Sequence, residues 1–170
     1  PSFTDALFDS GSGFTTTGAS ILSDIESLSK CMLFWRSFTH WIGGMGVLVF
    51  LLAIAPMTGG SNMNLMKAES TGPSVGKLVP KVRTTARILY LLYLILTIVQ
   101  FLFLILGNVP VFDSICIALG TAGTGGYSIK NDGFASYSPY CIWVTGIFMV
   151  LFGVNFNFYY LFLYKKHKPY

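Results

Sequence analysis

The chain has 170 residues, of which 53% are hydrophobic, 16% aromatic and only 11% charged, with a formal net charge of +4. Soluble domains carry about 25% charged residues. The composition therefore excludes an ordinary water-soluble enzyme or binding domain, gives no cause to expect a nucleic-acid partner, and indicates an integral membrane protein.

The chain opens at Pro1 with no initiator Met, signal peptide or charged flank, and reads as an interior piece of something longer. Asp5–Gly13 is a short amphipathic run that leads into "FTTTGAS", Phe14 to Ser20, a polar, turn-prone stretch. Cys31–Ala55 is a long apolar segment with one charge, Arg36. A basic linker follows. Ile88–Leu106 carries no charge along its length, Asp113–Leu119 is a second short amphipathic run, and Tyr140–Tyr164 is again free of charge from end to end. About 20 residues suffice to cross a bilayer as a helix, and each of the three long runs meets that need, so an all-α membrane fold with three spans is expected. It divides into 1–56, a cytoplasmic linker at 57–87, and 88–170. Cys31, Cys116 and Cys141 lie in or beside apolar segments with no CxxC or zinc-like spacing, and read as buried thiols acting as small hydrophobes.

Charge placement sets an expected orientation. Lys67, Lys77, Lys81, Arg83 and Arg87 stand against Glu69 between the first two spans, and Lys165, Lys166 and Lys168 follow the third. By the positive-inside rule both regions are cytoplasmic. Asp5, Asp9, Asp24, Glu26, Asp113 and Asp132 crowd the other two connections, which are placed outside.

An internal repeat organises the chain. When the sequence is aligned on itself with Thr16 over Thr124, the residues Gly18, Ser20, Ile21, Asp24 and Trp35 fall on Gly126, Ser128, Ile129, Asp132 and Trp143. Ordinary residue frequencies give about one or two such identities over that stretch. "FDS" also recurs, at Phe8–Ser10 and Phe112–Ser114, but out of this alignment, with four more residues before the glycine in the second copy. The repeated unit is a short helix, a T-x-G loop, an acidic outer turn and a Trp-bearing membrane helix. The short helices cannot cross a bilayer, yet both flanks of each lie outside, so they are expected to dip in and return as re-entrant pore loops. Irregular backbone at membrane depth is tolerated only where protein buries it or water reaches it. A Thr/Gly loop there presents carbonyls and hydroxyls that replace the hydration shell of a cation, with glycine supplying dihedrals that a side chain penalises. The polar stretch is a candidate ion filter.

The segments "FTTTGAS", "FWRSFTHWIGGMGVLVFLLAIAP", "KAESTGP" and "FDSICIALGTAGTGGYS" together resemble the Trk/Ktr potassium-uptake family, in particular its TrkH-type membrane subunits, through essentially the whole chain. The resemblance implies four helix, pore-loop and helix units around one potassium path, with a critical glycine per loop. Gly18 and Gly126 correspond to two of those glycines. Thr16, Thr17 and Ala19 flank the first, and Thr124, Gly125 and Tyr127 the second, as ion-binding backbone. It further implies the remaining repeats on the same polypeptide, a homodimer, a cytosolic nucleotide-binding regulatory ring, a bacterial inner-membrane location, and potassium as the transported ion, with sodium as the alternative. No covalent cofactor is expected. Ser20 and Ser128 stand where the strict potassium-channel motif TVGYG has its second glycine, so fewer ion sites and weaker discrimination are expected.

Other polar residues in the spans are open to two readings. Arg36 either snorkels to the outer headgroups or pairs with Asp9 or Asp113 to brace a pore loop. His40 is expected to make an interhelical hydrogen bond, and Gly43–Gly46, "GGMG", to allow close helix packing, with a hinge as the alternative. Asn155 and Asn157 are expected to bond between helices, and "YKKHK", Tyr164–Lys168, to bind anionic headgroups. The sequence has only two histidines and no HExxH, so no enzymatic activity is expected. The rival to a transporter is a pore-less structural subunit, which leaves the two matched polar loops without a purpose.

Overall fold

The computed structural model describes residues 3–46, 79–154 and 159. These residues are helical and contain no strand: α1 (Phe3–Phe14), α2 (Lys30–Gly44), α3 (Val79–Leu106), α4 (Val111–Ala122) and α5 (Pro139–Gly153). Asn155, Asn157, Tyr164–Lys168 and most of the basic linker lie outside the described residues.

Within α3, Ala86–Leu106 is the one helix among the described residues long and apolar enough to cross a membrane, with mean hydropathy 2.6. One stripe, Tyr93, Thr97, Gln100 and Leu104, is buried, while Leu91, Ile95, Ile98 and Leu102 are exposed. Both stripes follow helical spacing, and an apolar outer stripe of this size suits lipid and not water. The helix stops at a tight turn in which Asn108 takes a positive φ of 58°. There the Tyr140 hydroxyl donates to the Phe103 carbonyl at 3.1 Å and its ring fills the space beside Gly107.

Serines cap α2 and α5 alike. Ser29 and Ser138 have nearly the same dihedrals (φ −61°, ψ 150° and φ −63°, ψ 152°), and their side chains accept from the amides of Met32 and Cys141. Each helix runs for 15 residues, about 22 Å at 1.5 Å per residue, short of a hydrocarbon core of about 30 Å. The expected helices over Cys31–Ala55 and Tyr140–Tyr164 are interrupted within the described residues, and the remainder of each, from 47 and from 155, lies outside them apart from Tyr159. The first stops at Gly44, followed by Gly46 at φ 75°, and the second stops at Gly153, followed by extended Val154. Glycine is a poor helix former, and in both copies it ends the helix at nearly the same repeat position.

The repeat governs packing as well as sequence. Leu33, Arg36, Ser37 and His40 are buried on α2, and their counterparts Cys141, Val144, Thr145 and Phe148 are buried on α5. "FDS" does not follow this register. Asp113 lies in the first turn of α4, at the repeat position of Asp5, whereas Asp9 is one turn further along α1.

α4 is the central element, packed on α2, α3 and α5, while α1 packs on α2. Ile117, Ala118 and Ala122 of α4 join Tyr93, Leu104, Val144 and Phe148 in the larger core. The expected close packing at Gly43 and Gly44 is present. A Cβ on Gly43 would meet the Phe14 carbonyl at the end of α1, and one on Gly44 would meet Gly123 and Ala122 at the end of α4. The carboxyl end of α2 is thus the wedge against which both short helices stop.

Candidate filter site

Both short helices end in the same hydrogen-bonded turn. After α1, Thr16 N–H donates to the Gly13 carbonyl at 3.1 Å and Thr17 N–H to the Ser12 carbonyl at 3.0 Å. After α4, Thr124 N–H donates to the Thr121 carbonyl at 2.8 Å and Gly125 N–H to the Gly120 carbonyl at 3.4 Å. These are paired 5→2 and 6→1 bonds of a Schellman ending, whose left-handed position is usually glycine. Here it is threonine in both copies, Thr16 at φ 54° and Thr124 at φ 51°. Two residues on, Gly18 and Gly126 also take positive φ, 72° and 83°. Ser20 and Ser128 then turn the chain again, their hydroxyls accepting from the amides of Leu22 and Lys130.

The two loops touch. A Cβ on Gly18 would strike the Gly125 carbonyl oxygen, so this position needs glycine both for its φ and for its neighbour. A Cβ on Gly126 meets nothing within 4 Å, leaving φ as its constraint. The Tyr127 hydroxyl crosses from the second loop to the first repeat, donating to the Asp9 main-chain oxygen at 2.9 Å with the Ala19 carbonyl at 3.4 Å.

Arg36 is paired. Its Nε lies 2.9 Å from Asp9 Oδ2, its Nη2 lies 3.3 Å from Asp9 Oδ1, and the same Nη2 donates to Ser20 Oγ at 2.8 Å. Ser20 in turn donates to Asp9 Oδ1 at 3.2 Å. The charge inside the apolar segment is thereby tied to both α1 and the chain leaving the first loop. Of the two carboxylates named as partners, Asp9 is the one brought to Arg36. Asp113 instead accepts from the Tyr137 hydroxyl at 2.9 Å, because the one-turn offset of "FDS" places it at the start of α4.

His40 departs from expectation. It is fully buried, yet neither ring nitrogen has a hydrogen-bond partner. Its imidazole packs on the Gly125 backbone and against the Tyr127 ring.

An outer layer joins the two repeats above the loops. Asn131 Oδ1 accepts from the Ile25 amide at 2.7 Å, its Nδ2 donates to Asp24 at 2.8 Å, and its own amide donates to Glu26 at 3.1 Å. The Asn131 hydrogen bond holds the Asp24 carboxyl below its ordinary range. Burial, reinforced by the hydrogen bond to Asp113, raises the Tyr137 phenol well above its ordinary range. An open cavity of about 570 Å³ lies in this layer, lined by Glu26, Lys30, Asp113, Lys130 and Asp132 among others. Sequence reasoning missed Asn131 and Tyr137 altogether, and took Tyr127 for its backbone alone. The available signal was the second acidic turn itself, where an amide beside Asp132 has no counterpart in the first copy.

The chain matches the TrkH family model, described as cation transport protein, over residues 1–170. It is 36% identical over 166 residues to the Trk system potassium uptake protein TrkG of Escherichia coli K12, covering 96% of this chain and 34% of that protein. It is 39% identical over 157 residues to the Trk system potassium uptake protein TrkH of Salmonella typhimurium, covering 91% and 32%. The crystal structure of the potassium transporter TrkH from Vibrio parahaemolyticus superposes with a TM-score of 0.74 at 32% identity, over 94% of this chain and 31% of that one. The chain thus spans about a third of the length of these relatives. A match along its full length, shared fold and repeated loops place this helical membrane protein in the TrkH cation transport family.

Proposed function

We propose that this chain supplies two of the pore-lining units of a potassium-uptake protein, and that a partly dehydrated monovalent cation passes the backbone oxygens of Thr16, Thr17, Gly18 and Ala19 on one side and Thr124, Gly125, Gly126 and Tyr127 on the other. The observation that carries this reading is the contact of Gly18 with the Gly125 carbonyl between two loops of like backbone. Two polar turns that share one set of dihedrals and meet at their glycines converge on a common axis, where aligned carbonyls replace water around an ion. The contact is head-to-tail, since Gly18 meets the residue before its own equivalent, and head-to-tail contacts between like units build rings. The resemblance supplies the rest of the ring from further repeats of the same polypeptide, with the bilayer, a second copy and a cytosolic nucleotide-binding ring as partners. The 12-residue helices α1 and α4 span about 18 Å, as re-entrant elements do. Arg36 and Asp9 brace the first loop from behind.

Uptake measured over a range of potassium and sodium concentrations in the full-length parent tests the reading. Gly126→Ser meets only a backbone penalty and is expected to weaken potassium affinity and relax the preference over sodium at near-normal abundance. Gly18→Ser adds a clash with the neighbouring loop and is expected to be more severe. Gly146→Ser, in open space on α5, serves as the control. Unchanged affinity and preference in both loop variants would make these loops ordinary turns.

A further inference from the structure

The second loop is backed by a cluster of side chains that the backbone alone does not require. At the repeat position of Ala19 stands Tyr127, so one copy carries a methyl where the other carries a phenol. The Tyr127 ring lies against the His40 imidazole, with centroids 3.9 Å apart and planes 13° from parallel. It also lies 4.2 Å from the guanidinium carbon of Arg36. His40 is fixed from its other contacts: it is fully buried, and the Gly125 backbone sits so close that any side chain there would enter the imidazole. One ring thus rests on two residues of α2, four apart and on one helix face, while its hydroxyl reaches Asp9 and Ala19 in the opposite loop's support.

Loops of threonine and glycine have much backbone freedom to lose, and carbonyls that must tell one cation from another need to be held firmly by what surrounds them. Arg36 ties Asp9 and Ser20 on the first side. Nothing in the second loop's own sequence does the same for it. We propose that the Tyr127 side chain is a positioning residue for ion preference: stacked on His40 and Arg36, it fixes the second loop and, through its hydroxyl, locks that loop to the first. This rests on the filter reading above, and adds that discrimination depends on a stacked cluster behind the loops as well as on their glycines. The two unbonded nitrogens of His40 fit a residue used here as a flat plate for stacking.

The test is the potassium-to-sodium preference of full-length protein carrying Tyr127→Phe, Tyr127→Ala or Gly126→Ser, each measured with protein abundance. Tyr127→Phe keeps the ring and removes only the link to Asp9 and Ala19. It is expected to lower the preference about three- to tenfold, the factor set by one lost hydrogen bond, at near-normal abundance. Tyr127→Ala is expected to lower it further. Reduced abundance with an unchanged preference in Tyr127→Phe would mark the residue as structural only and overturn the proposal. If Gly126→Ser alters the preference while both Tyr127 variants leave it unchanged, the filter stands and the lock falls. If Gly126→Ser also leaves it unchanged, the filter reading fails, and the lock with it.

Discussion

Thr16 and Thr124, at equivalent positions of the repeat, hold the same left-handed backbone, φ 54° and 51°, at the ends of equivalent helices. A β-branched residue with positive φ is rare, and such strain, about 1–3 kcal/mol, persists where the surroundings enforce it and function uses it. Thr16→Gly is therefore expected to leave thermal stability unchanged or raised by up to about 1 kcal/mol, the strain relief being partly offset by glycine's entropy. Potassium affinity is expected to fall, because the loop gains freedom and loses a hydroxyl. A melting curve and an uptake titration on the same preparation check both halves. A destabilised protein with unaltered affinity would contradict the functional reading of the strain.

Arg36 and Asp9 form a two-point pair whose side chains are 5% and 17% exposed. Removing one partner of a buried pair leaves an uncompensated charge, at a cost of about 3–5 kcal/mol. Arg36→Gln and Asp9→Asn are each expected to reduce folded protein sharply, and the double variant to cost clearly less than their sum. Coupling above about 0.5 kcal/mol exceeds the scatter of independent sites. Arg36→Gln combined with Asp113→Asn is expected to be additive. Coupling to Asp113 in place of Asp9 would contradict the geometry.

Tyr137 and Asp113 make stability sensitive to alkali. Burial first, and the carboxylate second, raise the phenol above its ordinary value of 10.0. The folded state holds that proton more tightly than the unfolded state, so the contribution is fully present below about pH 10 and fades as pH climbs through the folded value. Thermal unfolding of the purified full-length protein between about pH 7 and 11 is expected to show a decline above about pH 10 that is shallower in Tyr137→Phe. Identical slopes in the two proteins would show that the Tyr137 proton is not coupled to folding.

Orientation can be read with an impermeant thiol reagent on intact cells, in a background with the exposed Cys31 changed to serine. Asp132→Cys, in the outer turn, is expected to react. Asn64→Cys, in the basic linker, is expected to resist. The reverse pattern would invert the topology inferred from the lysines and arginines.

Much of this was legible in the sequence, and the reasons differ by element. α3 was visible because an uncharged run of helical length leaves few alternatives. The paired loops were visible because the same dihedrals demand the same residues, Thr16 with Thr124 and Gly18 with Gly126. The stops at Gly44 and Gly153 were hidden, since hydropathy reports solvent preference and is blind to a break within an apolar run. The choice between Asp9 and Asp113 was hidden for another reason. A motif displaced by one helical turn keeps nearly the same helix face, so the visible offset of the second "FDS" did not by itself say which carboxylate meets Arg36. Tyr127, His40 and Asn131 act across the repeat boundary, between residues far apart in the chain, and no local pattern announces a contact of that kind.

The buried faces of α2 and α5 share positions but not chemistry. Where the first copy holds Arg36 and His40, the second holds Val144 and Phe148. Duplication has preserved the outline of the wall while its electrical content has drifted, so the two repeats are mechanically alike and electrostatically unlike. A cation held at the paired loops would meet the fixed Arg36–Asp9 dipole from α2 and no matching charge from the equivalent positions of α5. Its resting position would then be set off-axis by that field, and substitutions at matched positions in the two halves would have unequal effects on permeation even where their effects on folding are the same.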